Sequence, residues 1–358
     1  MENFAFIIHP ITAKKDIARK FPAANLLPES FLELVMRNMK PVDVSHITGI
    51  RSKDGTEAEG WFIGCPLSSK QFMEMPVEVC YKKIMECIDI AEKKGAKIVG
   101  LGAFTSVVGD AGKTLAERAN IAVTSGNSYT IATAIEGSMR AGRIMGVDPE
   151  NAKISIVGAT GSIGKTCTRM YDGKCARITL VGRDLDKLEA AMAGIKKTPA
   201  RISADVQNGI ADADIVVAVS SSVDAIIMPS YLKPGAVVCD VARPRDVSVK
   251  VAEERDDVLV IEGGVVKVPG DVDFHFDFGF PKGTAYACMS ETMILALEKR
   301  YESYTTGRDI SVEKVNEISE LARKHGFEMA GFRSFERAVS EEEVEQIRRN
   351  AFEEEIIE

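Results

Sequence analysis

The stretch that decides the fold is Lys153-Ile-Ser-Ile-Val-Gly158-Ala-Thr-Gly161-Ser-Ile-Gly164-Lys-Thr166. Ile154, Ile156 and Val157 supply the apolar run of a buried parallel strand. Gly158, Gly161 and Gly164 follow at a spacing of three, and a helix-like segment opens behind them. Glycines there allow a tight strand-to-helix turn, close approach of backbone to a pyrophosphate, and close packing of helix on sheet. The phosphates would lie on the N–H groups at the helix N-terminus, where the dipole favours negative charge. Thr160, Ser162 and Ile163 complete this candidate cofactor cradle. Two other readings of the same residues stay open. Ala159 to Thr166 is a relaxed Walker A match, with Ala159 in place of its first glycine, which would make the chain a nucleotide triphosphatase. The loop is otherwise a glycine-rich turn with no ligand.

The residues after the loop weigh towards the dinucleotide. From Lys153 on, strand-like and helix-like runs alternate, which predicts parallel strands with crossover helices. Strands are predicted over 177–181, 211–219, 235–239 and 258–261, and no convincing partner for a Walker magnesium site occurs among them. The second strand leads into Gly182-Arg183-Asp184. NAD users place a carboxylate at this strand end to hold the ribose hydroxyls, and NADP users often offer an arginine to the 2′-phosphate. Gly182 followed by Arg183 favours NADP, with Asp184 weighing the other way and a merely solvated Arg183 as the alternative reading. Ser220 and Ser221, after the 211–219 strand, are further candidate cofactor contacts.

The chain has 358 residues, which favours two or more domains. Its net charge of −8 and its few aromatics argue against a nucleic-acid partner. Seven cysteines with no Cys-x-x-Cys pair suggest neither a zinc cluster nor a disulfide framework and fit a reducing cytoplasm. The opening Met-Glu-Asn-Phe-Ala-Phe-Ile-Ile-His-Pro lacks the basic region of a signal peptide, and no apolar stretch has the length of a membrane span. The sequence therefore predicts a cytoplasmic protein.

The first third predicts strands over 4–9, 42–50 and 59–64, a helix over 76–94, and strands over 97–104 and 121–123. Thr124-Ser-Gly-Asn-Ser-Tyr-Thr130 is a polar turn from strand to helix, the place where α/β domains carry ligand-binding groups. It reads equally well as a capped turn. Gly270 to Asp277 is rich in acids and holds His275. A metal site from Asp271, Asp273 and His275 lacks any further ligand motif, so no metal is expected. A helix predicted over 285–301 carries Cys288 in its first turn, where the dipole favours the thiolate; it reads otherwise as a buried small hydrophobe, and Cys65 is the second candidate. The remainder, over 312–326 and 340–357, is read as helical.

With these residues in view, the chain resembles the cyanobacterial long-chain acyl-[acyl-carrier-protein] reductases from about His9 to Gly326. Gly158-Ala-Thr-Gly-Ser-Ile-Gly164 is similar to the family's NADPH loop, with Ser162 where an acid is expected. Thr124-Ser-Gly-Asn127 resembles its Thr-Thr-Gly-Asn turn. Gly263-Gly264 followed by Asp271-Val-Asp-Phe-His275 resembles its Gly-Gly and Asp-Ile-Asp-Trp-His elements, with Phe274 for tryptophan. Ala287-Cys288-Met-Ser-Glu291 is similar to the Ala-Cys-Phe-Ala-Glu segment that bears the family's catalytic cysteine. The N-terminal third agrees loosely, the Val108 to Arg118 loop differs and the acidic tail is extra.

The resemblance implies NADPH-dependent reduction of a fatty acyl thioester, on acyl carrier protein or coenzyme A, to a fatty aldehyde. Cys288 would form an acyl-enzyme, with Asn127, His275 or a backbone N–H near Cys288 as candidate oxyanion partners. An aldehyde-consuming enzyme is an implied partner, and any Mg²⁺ requirement leaves no mark in the sequence. Met73, Met75, Met139, Met289 and Met293 are candidate lining of an acyl channel, or ordinary core. The alternatives are a two-domain NADP dehydrogenase with no covalent step and the Walker-type triphosphatase. The expected fold is α/β: an N-terminal α/β substrate domain over 1–148, an NADP-binding Rossmann domain over 149–280, and C-terminal helices with a charged tail over 281–358.

Overall fold

The computed structural model describes residues 1–14, 22–222 and 224–352. Contacts divide the chain into two compact units. One comprises Met1–Ser128, Val266–Arg308 and Glu317–Glu328, and the other Tyr129–Val265, Asp309–Asn316 and Met329–Glu358.

The second unit is built on a six-stranded parallel sheet. Across it the order is Leu259–Glu262, Val237–Asp240, Ile215–Ala218, Lys153–Val157, Arg177–Val181 and Ala200–Ser203. This is the doubly wound order, with the strand of the glycine loop at the centre. Its apolar runs are buried on both faces, as a covered parallel sheet requires. The strand predicted over 211–219 is shorter in fact, because Asp214 leaves it to accept the Lys153 N–H at 2.6 Å. The strand Ala200–Ser203 was not anticipated from the sequence; its residues are only half-buried and give no apolar run.

The first unit is a mixed sheet in the order Gly270–Asp273, Val42–Arg51, Glu57–Gly64, Glu2–Ile8, Ile98–Leu101, Ala122–Thr124. Alternation along its central strand separates two packing layers. Ala5 and Ile7 join Cys80, Ile84, Cys87 and Ile88 of the helix Val77–Lys93 in one core. Phe4 presses against Gly60, and Phe6 against Gly100, which also meets Thr292 of the helix Ala287–Leu297. Cys80 and Cys87 are thus core, and burial pushes both thiols up.

The helix predicted over 285–301 runs only from Ala287 to Leu297. Lys299 takes a left-handed φ of +58°, and the Lys299 and Arg300 amides return to the Ala296 and Leu295 carbonyls. That pattern is a Schellman ending with lysine in the glycine position. From Met289 to Leu297 the helix is fully buried, and each large apolar side chain there contributes about 1.5–3 kcal/mol. The region after the helix Val312–His325 is not wholly helical. Phe332–Ser334 and Arg337–Val339 pair as an antiparallel hairpin before a helix at Glu341–Phe352. Residues 353–358, the end of the helix predicted over 340–357, lie outside the described residues. Among the described residues, no helix is long and apolar enough to cross a membrane.

Candidate active site

In the second unit the strand Lys153–Val157 turns at Gly158 into the helix Ser162–Tyr171. Gly158 has φ +85°, and a Cβ there would stand 2.8 Å from Ser220 Cα. A Cβ on Gly164 would come within 2.3 Å of the Gly158 carbonyl. Those two glycines are demanded by the fold. Gly161 is not: its φ of −74° is ordinary, and its Cβ would meet only the Gly158 carbonyl at 3.3 Å. Room for a pyrophosphate against the backbone is the remaining reason for glycine there. The first intrahelical bond, Lys165 N–H to Gly161 at 3.0 Å, leaves the amides of Ser162, Ile163 and Gly164 at the positive helix end. The cradle fits a dinucleotide.

The loop after Ile215–Ala218 closes this cradle. Ser220 packs on Gly158 and donates its amide and hydroxyl to Asp246, at 2.9 and 2.5 Å. Ser221 is exposed beside it. Asp246 is fully buried, and burial pushes its carboxyl up to about 6 although the Ser220 bonds pull the other way. Sequence reasoning singled out Ser220 and Gly158 but not the aspartate that holds them together.

Arg183 is exposed and makes no hydrogen bond or ion pair among the described residues. The neighbouring Asp184 is committed elsewhere. It caps the helix Leu185–Met192 by accepting the Lys187 N–H at 3.1 Å and pairs with the Lys187 ammonium at 2.6 Å. The Lys187 side chain, then its amide, holds that carboxyl below its ordinary range. The triphosphatase reading does not survive. Thr166, the residue a Walker loop would turn to Mg²⁺, is fully buried and donates to the Ile310 carbonyl at 2.8 Å.

In the first unit Cys288 is the second residue of the helix Ala287–Leu297, after Tyr286, which gives no side-chain cap. Five of the other cysteines are buried, whereas Cys288 is half-buried. Cys175, also half-buried, has its thiol pushed up to about 11 by burial. The Thr124–Asn127 turn lies directly on Cys288. Gly126 takes φ +75°, and a Cβ on it would stand 2.3 Å from Cys288 Cα and 2.4 Å from its Cβ. Asn127 begins the helix Asn127–Ile144, is 8% exposed, and so sits within a residue of that contact.

The turn is pinned. Thr124 Oγ1 donates to Glu291 Oε1 at 2.5 Å and accepts the Thr305 N–H at 3.1 Å. Ser125 N–H donates to the Thr305 carbonyl at 2.8 Å, and the Ser128 and Thr305 hydroxyls are 2.8 Å apart. Thr305 and the role of Glu291 were missed from the sequence, although one acid inside so apolar a helix was visible there.

His275 follows the edge strand Gly270–Asp273, is exposed, and takes φ +48°. Its N–H donates to Asp273 at 2.8 Å and its Nδ1 lies 2.8 Å from the His46 carbonyl. Neither Cys288 nor Asn127 is among its partners. No three His, Cys, Asp or Glu residues are grouped to hold a metal ion among the described residues. The same segment holds a feature not drawn from the sequence: Phe274, Phe276, Phe278 and Phe280 alternate, with rings in a chain from Phe62 to Tyr286 at centroid spacings of 4.4 to 6.2 Å. This chain ends two residues before Cys288. Met289 and Met293 are core, and Met73 is exposed on the helix Ser69–Glu74.

The fold and the glycine cradle define an α/β protein with a Rossmann domain for a nicotinamide dinucleotide. Residues 140–262 match the family model for shikimate/quinate 5-dehydrogenase. The aminotransferase PigE of a Serratia species is 30% identical over 360 residues, covering 97% of this chain and 42% of that protein. The long-chain acyl-[acyl-carrier-protein] reductase of Synechococcus elongatus is 28% identical over 308 residues, covering 80% of this chain and 86% of that protein. A glutamyl-tRNA reductase of Streptococcus sanguinis is 33% identical over 106 residues, 28% of this chain and 24% of that protein. The chain thus spans less than half the length of PigE and most of the length of the acyl reductase.

Proposed function

We propose that the chain is an NADPH-dependent reductase that converts a long-chain fatty acyl thioester to an aldehyde through an acyl-enzyme on Cys288. The observation that carries this reading is the half-buried Cys288 in the first turn of a helix to which Tyr286 gives no side-chain cap, with the Gly126 backbone laid on it. The likeness to an acyl-[acyl-carrier-protein] reductase over most of both chains supports it.

Cys288 thiolate attacks the thioester carbonyl, a new carbon–sulfur bond forms, and the donor thiolate leaves and takes a proton. Amides of the helix N-terminus, with Asn127 in the adjoining turn, would receive the oxyanion. NADPH, held on the Gly158–Gly164 loop, would supply the hydride that the acyl carbon needs. Cys288 is then the leaving group: its thiolate departs from the reduced carbon as the aldehyde is released. Thioester linkage keeps the carbonyl electrophilic towards hydride, which an oxygen ester at this position would not do as well. The half-exposed phenylalanines that run to Tyr286 offer apolar surface to an acyl group. Arg183, without a hydrogen bond or ion pair among the described residues at the second strand's end, favours NADPH over NADH. The acyl donor is an acyl carrier protein or coenzyme A, and an aldehyde-consuming enzyme would follow in sequence.

The test is aldehyde formation from a long-chain acyl thioester, with NADPH consumed in equal amount. Activity in the wild type and none in Cys288→Ser supports the covalent route. The match to a dehydrogenase model over residues 140–262 favours a second reading, direct hydride transfer to a small carbonyl. Under that reading Cys288→Ser stays active.

A further inference from the structure

We infer that Glu291 is a positioning residue for Cys288: through Thr124 it fixes the turn that lies on the Cys288 backbone and Cβ, and its charge tunes the sulfur. This inference rests on the acyl-enzyme reading above. Glu291 follows Cys288 by three residues, so both occupy neighbouring places on one helix face. It is fully buried in a helix whose other residues from Met289 to Leu297 are apolar or small and neutral. A carboxylate so buried is costly unless it is bonded, and an apolar residue would have packed there more cheaply.

Its bond goes to the residue that matters for the site. Thr124 Oγ1 accepts the Thr305 amide, so its own hydrogen is directed to Glu291 Oε1, 2.5 Å away. Two residues on, Gly126 rests on Cys288 Cα. The spacing of two along the turn is matched to one helical turn between Cys288 and Glu291. Hence the Thr124–Glu291 bond sets how the turn's backbone approaches the sulfur. The second effect is electrostatic. A negative charge one turn from the thiol opposes the helix dipole, which holds the sulfur from being too poor a nucleophile as a strongly stabilised thiolate.

Tyr304 is buried and donates to Glu317 at 2.8 Å, and its hydroxyl is pushed up by burial first, then by Glu317 and Glu291. Tyr286 precedes the helix. The strand Ile98–Leu101 contributes no ionisable group, Glu59 on Glu57–Gly64 is bonded to His46, and His9, beyond Glu2–Ile8, accepts the Phe104 amide at 3.0 Å.

The experiment is iodoacetamide alkylation of Cys288 in the full chain across pH, read by mass spectrometry of its peptide, for wild type, Glu291→Gln, Thr124→Val and Thr124→Ser. Glutamine keeps the acceptor for Thr124 but removes the charge, and the alkylation midpoint should fall by about one pH unit. Valine takes away the hydrogen that the carboxylate needs, so it should shift the midpoint in the same direction. Serine restores the hydroxyl and should give the wild-type profile. Lower melting temperatures with coincident alkylation profiles in Glu291→Gln and Thr124→Val would overturn the inference, since a purely structural role moves only the former. Should Glu291→Gln not fold, the contrast between valine and serine at position 124 decides alone. Acylation of the wild type is scored on the same samples. An acylated wild type with unshifted variants fails this inference, and a shifted profile without acylation fails the functional reading.

Discussion

Gly126 lies directly against Cys288, so close that a Cβ on the glycine would stand 2.3 Å from the cysteine Cα. The contact joins two segments far apart in sequence, a polar turn and the first turn of a buried helix. It explains why position 126 carries no side chain, and it lays the turn's backbone on Cys288, with Asn127 the next residue along.

Gly126→Ala tests that contact. Alanine clashes with the helix and must also adopt φ +75°, which costs about 1–2 kcal/mol before the clash is counted. A turn displaced by about 1 Å should lower thioester reduction about 100-fold. NADPH binding, followed by fluorescence titration, should be unchanged, because the glycine cradle belongs to the other compact unit. Unaltered turnover would mean that the turn does not shape the site.

On the proposed reading Arg183 distinguishes the two cofactors. Asp184 is occupied by its cap and by Lys187, which leaves the arginine as the group proposed to meet a 2′-phosphate. Arg183→Ser should raise the KM for NADPH about tenfold or more and leave that for NADH in place, since a bond to a charged group is worth about 1.5–3 kcal/mol. An equal change for both cofactors would remove the 2′-phosphate role.

Asp246 gives the second unit a pH dependence. Its folded carboxyl titrates at about 6, pushed up by burial, against about 4 in an unfolded chain. The folded state therefore holds the proton more tightly, and this group costs stability above pH 6, a cost that fades as pH falls from 6 towards 4. Between pH 7.5 and 5, the wild type should gain about 1.3 kcal/mol relative to Asp246→Asn, whose amide still accepts from Ser220. Thermal melts of the two proteins at both pH values measure the difference. Parallel curves would show that Asp246 titrates as an ordinary carboxyl.

The central sheet of the second unit was legible because parallel strands buried on both faces are written as apolar runs, as in Ile154–Val157 and Ile178–Val181. Ala200–Ser203, half-buried at the sheet edge, writes no such run. The helix bearing Cys288 was legible as a helix but not in length, since it ends with Lys299 in a backbone state that usually signals itself by glycine. The same limit governs the site. Cys288 and Gly158 stood out through local position, whereas Thr124–Glu291 and Ser220–Asp246 are bonds between distant segments. His275 drew attention as a rare residue in an acidic stretch, but its bonds to Asp273 and His46 tie it to the sheet edge.

The most direct measurement of the central claim is the intact mass of the protein after mixing with a long-chain acyl thioester in the absence of NADPH. The account predicts a gain of one acyl group in the wild type, none in Cys288→Ser, and loss of the adduct with release of aldehyde when NADPH is added. A wild type that reduces the thioester yet never carries the acyl group, or a Cys288→Ser variant that carries it equally, would contradict the account.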